Sequence, residues 1–449
     1  MSNLRLCVAL IIIASANGFF SLGAWWHVAG VFNIADVGNG LAMLVITLGL
    51  VAANERLLLR NPFTILLLLY LLMVGMHISL AGFYHDQEIL QSLIGARHQF
   101  YYLSFFAFLV LLPTREEVLR LLNALAVLAL ILFLLSLVNY YGVTLFSHRW
   151  AEGHGVRSGI ERGFIPGMGV LSLALMWLAS RWASGRKMVT SSGAGAVLLF
   201  AAHVFRQTRS RLIAATVVLI GLFIWRKRFK ELALAAGVVA LISVVWLSGT
   251  EGSLLVNLFS SSVEDVTTES GTIRGRLAQL NVALEEFYAH PYIGSGASVL
   301  RTEGVVAMYG KVKDVAALGY KSDLGYAKWL GSYGLLGALW FASFWIVVLV
   351  KLRRVAKDCA SADAMLPAFV GSYLAYVAIS FLTINHFMKP EGIVLLMLVL
   401  AVLVRIADAS APEPTEARER VEPARSDSVL KRRKGFVPLL RGGPGESDG

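Results

Sequence analysis

Residues 201–225 read AAHVFRQTRSRLIAATVVLIGLFIW. Two apolar runs flank a short turn that carries Arg206, Arg209 and Arg211. Apolar run, basic turn, apolar run is the signature of a helix that leaves a bilayer and a second that re-enters it. About twelve such runs recur along the chain, at 4–22, 37–53, 62–82, 95–112, 118–138, 164–181, 188–205, 211–225, 231–248, 324–350, 363–383 and 390–407, most of them near the length that crosses about 30 Å of hydrocarbon. The composition agrees. The 449 residues are 57% hydrophobic and only 15% charged, with a mean hydropathy of +0.68. A soluble domain carries about 25% charged residues. The sequence therefore predicts an all-α polytopic membrane protein. The first run, around Leu6 to Phe20, lacks a small-residue cleavage site and is read as a span, not a signal peptide.

Charge sets the expected topology. With the N-terminus in the cytoplasm, the inside connections become NERLLLRN, TREEVLR, SRWASGRK, WRKRFK and KLRRVAKD, and KRRK at 431–434 lies in the tail. Lys and Arg collect on cytoplasmic loops, so both termini are expected inside. The formal charge of +11 sits mostly in these turns and the tail and implies no nucleic-acid partner. Four regions follow: spans one to nine (1–248), one large outer loop (249–323), spans ten to twelve (324–408) and a basic tail (409–449) too poor in apolar residues to bury a core. The tail cluster suits anionic membrane lipid. Cys7 and Cys359 are far apart, which excludes a disulfide framework.

The same topology puts Arg206, Arg209 and Arg211 on the outer face, against the usual bias. Cations held close to a bilayer are costly without an anion. A guanidinium grips phosphate oxygens two at a time, so the residues point to a lipid-linked phosphate. In the large loop, RGRLAQLNVALEEFYAH reads as an amphipathic helix, with Leu277, Leu280, Ala283, Leu284 and Phe287 at helical spacing. Pro291 ends it, and PYIGSGAS forms a turn. Arg274 and Arg276 stand at the helix start, where cations oppose the dipole and a bound anion would relieve them. No GxxxxGK[ST], HExxH, GxSxG or DxD-like pair is present, and His148 and His154 are the only close histidine pair in an outer loop. No metal or other cofactor is implied. Arginines aimed at a leaving pyrophosphate would do the electrostatic work of Mg²⁺.

Taken together, these residues resemble the O-antigen ligase and polymerase superfamily of bacterial inner-membrane glycosyltransferases. Ser210-Arg211 precedes an apolar span. Gly275-Arg276-Leu277 leads through a helix to Pro291, Gly294 and Gly296. Ser322-Asp323-Leu324-Gly325-Tyr326 leads to Gly334-Leu335-Leu336-Gly337. The resemblance covers the membrane portion and is densest over 206–337. Ligases of this superfamily carry a His-Asn pair where this chain has Asp323 and Leu324. The resemblance therefore leans to the polymerase branch, which joins repeat units carried on undecaprenyl pyrophosphate at the periplasmic face.

It implies a donor pyrophosphate held by Arg206, Arg209, Arg211, Arg274 and Arg276, with Arg211 and Arg276 stabilising it as it leaves. Asp323 would take the acceptor's proton, or alternatively cap the tenth span, as Ser322 also could. A chain-length regulator and a flippase are the implied partners. Tyr320, Tyr326 and Trp329 would stack on sugars or form an aromatic belt. The competing classes are a ligase lacking the usual histidine, a transporter of lipid-linked oligosaccharide and a non-catalytic scaffold. A transporter needs polar residues deep in its spans, whereas the span centres here read as almost wholly apolar apart from Asn17, Asn39 and His77.

Overall fold

The polar backbone has no water to bond with in lipid, so each crossing segment closes its hydrogen bonds internally as a helix. The computed structural model follows this rule. It describes residues 2–17, 27–29, 32–51, 61–85, 88–141, 143, 145, 165–185, 190–206, 208–248, 272–296, 324–358 and 364–409. Residues Met1–Ala407 form one compact unit, and Asp408–Gly449 a second of which only the last helical residues are described.

In chain order the elements begin with α1 (Ser2–Ala16) and a small antiparallel pair, β1 (His27–Ala29) and β2 (Phe32–Asn33), in which His27 faces Asn33. Helices α2 (Ile34–Val51) and α3 (Pro62–His85) follow. The expected span at 95–112 is not one helix. It is built from α4 (Ile89–Ala96), a 3₁₀ helix (Arg97–Leu103) and α5 (Ser104–Leu111). The physical cause is the polar triplet Arg97-His98-Gln99 inside an apolar run. The Arg97 guanidinium lies 3.6 Å from Asp36, its carbonyl accepts from Asn39, and buried Gln99 accepts from the Tyr70 hydroxyl at 2.5 Å. The tighter winding lets the Arg97 and Gln99 side chains meet partners on α2 and α3.

α6 (Arg115–Tyr140) starts with a capping box. The Thr114 hydroxyl accepts from the Glu117 N–H, and the Glu117 carboxylate accepts from the Thr114 N–H, both at 3.3 Å. Next come α7 (Met168–Ser184), α8 (Ser191–Arg206), α9 (Arg209–Trp225), α10 (Phe229–Ser248), α11 (Thr272–Ala289), α12 (Gly325–Asp358), α13 (Met365–Ser380) and α14 (Pro390–Ala409). Pro62–Tyr84, Arg115–Tyr140, Gly325–Lys357 and Pro390–Asp408 are each long and apolar enough to cross a membrane. Shorter apolar helices such as Ser210–Trp225 and Met365–Ser380 pack beside them. The chain is an all-α polytopic membrane protein.

Burial sorts the helices. From Ile393 to Val404, no residue of α14 is more than 1% exposed. A helix apolar on every side belongs in the centre of a bundle. α7 is nearly as enclosed, with Val170 to Met176 all at 0%. By contrast α3 exposes Leu68, Leu69 and Leu72, and α12 exposes Leu339, Ile346 and Leu349, the faces that lipid would cover.

α12 breaks at Gly334, where φ is 59° and ψ is −154°. In an unbroken helix the carbonyls of Gly331 and Ser332 would accept from Leu335 and Leu336. Here they accept from Ser295 N–H at 3.1 Å and Gly296 N–H at 3.0 Å. Leu335 and Leu336 donate instead to the carbonyls of Pro291 at 2.8 Å and Tyr292 at 3.0 Å. The segment after α11 is thus stitched into the opened helix by four backbone bonds. A Cβ on Gly334 would lie 2.6 Å from the Gly294 nitrogen, and one on Gly294 (φ 77°) would lie 2.3 Å from the Ser332 oxygen. Only glycine fits at either position. The His77 imidazole adds a bond from Nε2 to the Ile293 carbonyl, and Lys328 faces Glu286 of α11 at 3.5 Å.

Candidate functional site

The first turn of α9 brings Arg211 to a place where three helices begin. α7 starts at Met168, α9 at Arg209 and α14 at Pro390. Gly169, Arg211, Glu391 and Gly392 line one small cavity with Tyr373, Tyr376, His386 and Leu395. Each helix N-terminus carries about half a positive charge from its aligned peptide dipoles. A cation in the first turn of α9 therefore sits in an unfavourable field. The compensation observed is Glu391, in the first turn of α14, where the dipole favours an anion. Its Oε1 lies 3.6 Å from Arg211 Nη2. Arg211 is 14% exposed and Glu391 40%.

Beneath the ion pair runs a polar network inside the bundle. The Tyr376 hydroxyl meets Ser172 Oγ at 2.9 Å, and Ser172 Oγ meets His203 Nε2 at 3.0 Å. His203 Nδ1 lies 2.8 Å from the Leu199 carbonyl, which can only accept. Nδ1 therefore carries a proton. The Ser172 hydroxyl also lies 3.1 Å from the Met168 carbonyl, so its single proton faces both that carbonyl and His203 Nε2, while the Tyr376 O–H points to Ser172 Oγ. Ser172, His203 and Tyr376 each lie within about one turn of a helix end, at Met168, Arg206 and Ser380, so they join the polar exceptions without occupying the span centres. Their hydroxyls and ring nitrogens satisfy one another, which is why they can be buried.

His386, in the turn between α13 and α14, is 7% exposed, and its Nε2 lies 2.7 Å from Ser380 Oγ. Burial, reinforced by the charges of Arg211 and Lys389, pushes its pKa down to about 3. The ring beside Arg211 is therefore neutral at neutral pH.

An apolar cavity of about 470 Å³ opens between α7, α8, α9 and α10, lined by Leu175, Trp182, Phe200, Thr216, Leu219 and Phe223 among others. Thr216 and Phe223 follow Arg211 on α9 by about 7 and 18 Å at 1.5 Å per residue. A charged end and an apolar hollow therefore share one helix.

The predicted site residues fall into four groups. Arg206 ends α8, where the helix C-terminus favours a cation, and Arg211 begins α9, so the structure brings these two to one end of the bundle. Arg209 lies in the first turn of α9, and Arg274 and Arg276 in the first turns of α11, but their side chains lie outside the described residues. Asp323 and Tyr320 lie outside them altogether. Trp329 is 3% exposed, stacks on Tyr70 with ring centroids 5.6 Å apart, and donates to the Gly337 carbonyl. It is a core residue, neither a sugar platform nor part of a belt. Tyr326 is partly exposed and donates to the Ala378 carbonyl.

Sequence reasoning missed Glu391, His386, Tyr373 and Tyr376. One local signal was available: Lys389-Pro390-Glu391-Gly392 is a helix start, with proline and an acid in the first turn. Nothing local says that this acid meets an arginine 180 residues earlier.

Residues 194–342 match the family model described as O-Antigen ligase. The matched stretch runs from α8 into α12, so it contains Arg206, Arg211, α11 and the break at Gly334. No curated protein matches the chain.

Proposed function

We propose that this chain, whose residues 194–342 match the O-antigen ligase family model, polymerises polysaccharide repeat units carried on undecaprenyl pyrophosphate at the periplasmic face of the bacterial inner membrane. The family match supports membrane glycosyl transfer of the ligase and polymerase type. One observation carries the finer reading: Arg211 stands where the N-termini of α7, α9 and α14 meet, a place built for an anion. The apolar cavity farther along α9 supports an anion that carries a hydrocarbon chain.

In this reading Arg206, Arg209 and Arg211 hold the donor pyrophosphate, and Arg274 and Arg276 approach it from α11. The acceptor hydroxyl attacks the anomeric carbon, a new glycosidic bond forms, and the carbon–oxygen bond to pyrophosphate breaks. The bonding pair leaves with the pyrophosphate, whose growing charge the arginines stabilise. The hydroxyl proton passes to a carboxylate, for which Asp323 is the proposed residue. The donor, the acceptor, a chain-length regulator and a flippase belong to the proposal. Absence of the usual ligase histidine at Asp323 favours the polymerase over the ligase.

The test is deletion and complementation, with polysaccharide analysed on a gel. The expected result is loss of the polymer ladder with single repeats retained. Polymer that is made but never joined to lipid A-core would replace this reading with the ligase.

A further inference from the structure

Arg211 and Glu391 are placed by opposite logic. Glu391 has the dipole of α14 in its favour and is 40% exposed, so it can turn to water at small cost. Arg211 has the dipole of α9 against it, is 14% exposed, and cannot lose its counter-ion without replacement. Their ion-pair contact is Nη2 to Oε1 at 3.6 Å. That is longer than the roughly 2.7–2.9 Å of a charge-assisted hydrogen bond, and it is not a fork. A tightly locked structural pair would show two short bonds. This pair comes no nearer than 3.6 Å, between a mostly buried cation and a carboxylate that can turn to water.

We propose that Glu391 is a resident counter-ion: it occupies the phosphate position on Arg211 in the unloaded protein and leaves when the donor pyrophosphate arrives. The inference rests on the reading of Arg211 as a pyrophosphate ligand. A pyrophosphate brings more charge than one carboxylate and can meet the guanidinium at two oxygens, so it displaces Glu391. Until then the carboxylate keeps the cation from other anions, including the headgroup phosphates of the surrounding bilayer. Donor affinity is lowered by the strength of the contact that must be broken. Glu391 is thus a specificity-determining residue that favours a multiply charged phosphate over a singly charged one.

The alternative role for Glu391 is purely structural, holding Arg211 in its working position. The two roles predict opposite signs. Full-length protein in detergent is titrated with farnesyl pyrophosphate, a short isoprenoid pyrophosphate, and with inorganic pyrophosphate. Glu391→Gln keeps the shape and removes the charge, and it should bind both probes at least tenfold more tightly than the native chain. Glu391→Asp keeps the charge but draws it back by one methylene, and it should gain less. In an Arg211→Gln background the gain from Glu391→Gln should vanish, because the charge then has nothing to neutralise.

If the native chain binds farnesyl pyrophosphate and Glu391→Gln binds it equally or more weakly, the counter-ion role is overturned and the reading of Arg211 survives. If neither protein binds it while both remain folded by their melting curves, both ideas fall. A gain that persists without Arg211 would also overturn the proposal.

Discussion

Gly334→Ala tests whether the break in α12 holds the large loop in place. Its added Cβ would stand 2.6 Å from the Gly294 nitrogen and 2.8 Å from the Pro291 oxygen, both backbone atoms that have nowhere to go. The φ of 59° with ψ of −154° is also closed to alanine. The variant therefore leaves this conformation, and its easiest escape is to straighten. A straight α12 recovers two helical bonds, Leu335 to Gly331 and Leu336 to Ser332, but gives up all four bonds to residues 291–296. The net loss of two backbone hydrogen bonds costs about 1–3 kcal/mol at roughly 0.5–1.5 each. That is enough to undock the loop without unfolding the bundle.

Hydrogen exchange read by mass spectrometry should show an asymmetric result. The amides of Ser295 and Gly296 lose protection, while those of Leu335 and Leu336 keep theirs in the restored helix. Gly237→Ala in α10, where an added Cβ meets nothing within 4 Å, is the matched control and should change neither pair. Unchanged protection at Ser295 and Gly296 in Gly334→Ala would refute the stitched-helix account.

Arg211→Lys and Arg276→Lys should each abolish most of the polymer ladder while membrane insertion is preserved, because lysine keeps the charge but loses the two-pronged grip; full activity in both would rule out the pyrophosphate clamp. For pH, the sign follows from His386. Its folded pKa of about 3 lies below the ordinary 6.5, so between these values the unfolded chain binds more protons. The stability tied to the neutral ring is complete above about pH 6.5 and is lost as pH falls towards 3. Melting temperature in detergent should drop over that window, and His386→Gln should flatten the drop.

Much of the fold was legible because membrane spans are written in runs of like residues. Every expected span contains helical residues, and Pro291 does follow the end of the loop helix at Ala289. What composition could not encode was the 3₁₀ winding at Arg97–Leu103, since it depends on Asp36, Asn39 and Tyr70, which are distant in sequence. The same limit hid half of the site. Arg211 announces itself as a cation in the wrong place, but its counter-ion comes from the start of α14, and His386 reads as an isolated histidine in a turn. The glycines of Gly294-Ser295-Gly296 and Gly334-Leu335-Leu336-Gly337 served as a fingerprint. The structure gives the first glycine of each motif, Gly294 and Gly334, a backbone role: they let a loop replace part of a helix ladder.

The sealed helix α14 has a consequence for biogenesis. It is translated after every other described helix, yet its residues Ile393 to Val404 occupy the middle of the bundle. The earlier helices therefore cannot complete their native packing until this segment has been made. Glu391 arrives on the same segment, so the counter-ion reaches Arg211 only at that last step. The order of synthesis thereby makes the finished core and the finished charge pair a single event, and a chain halted before residue 390 would have neither.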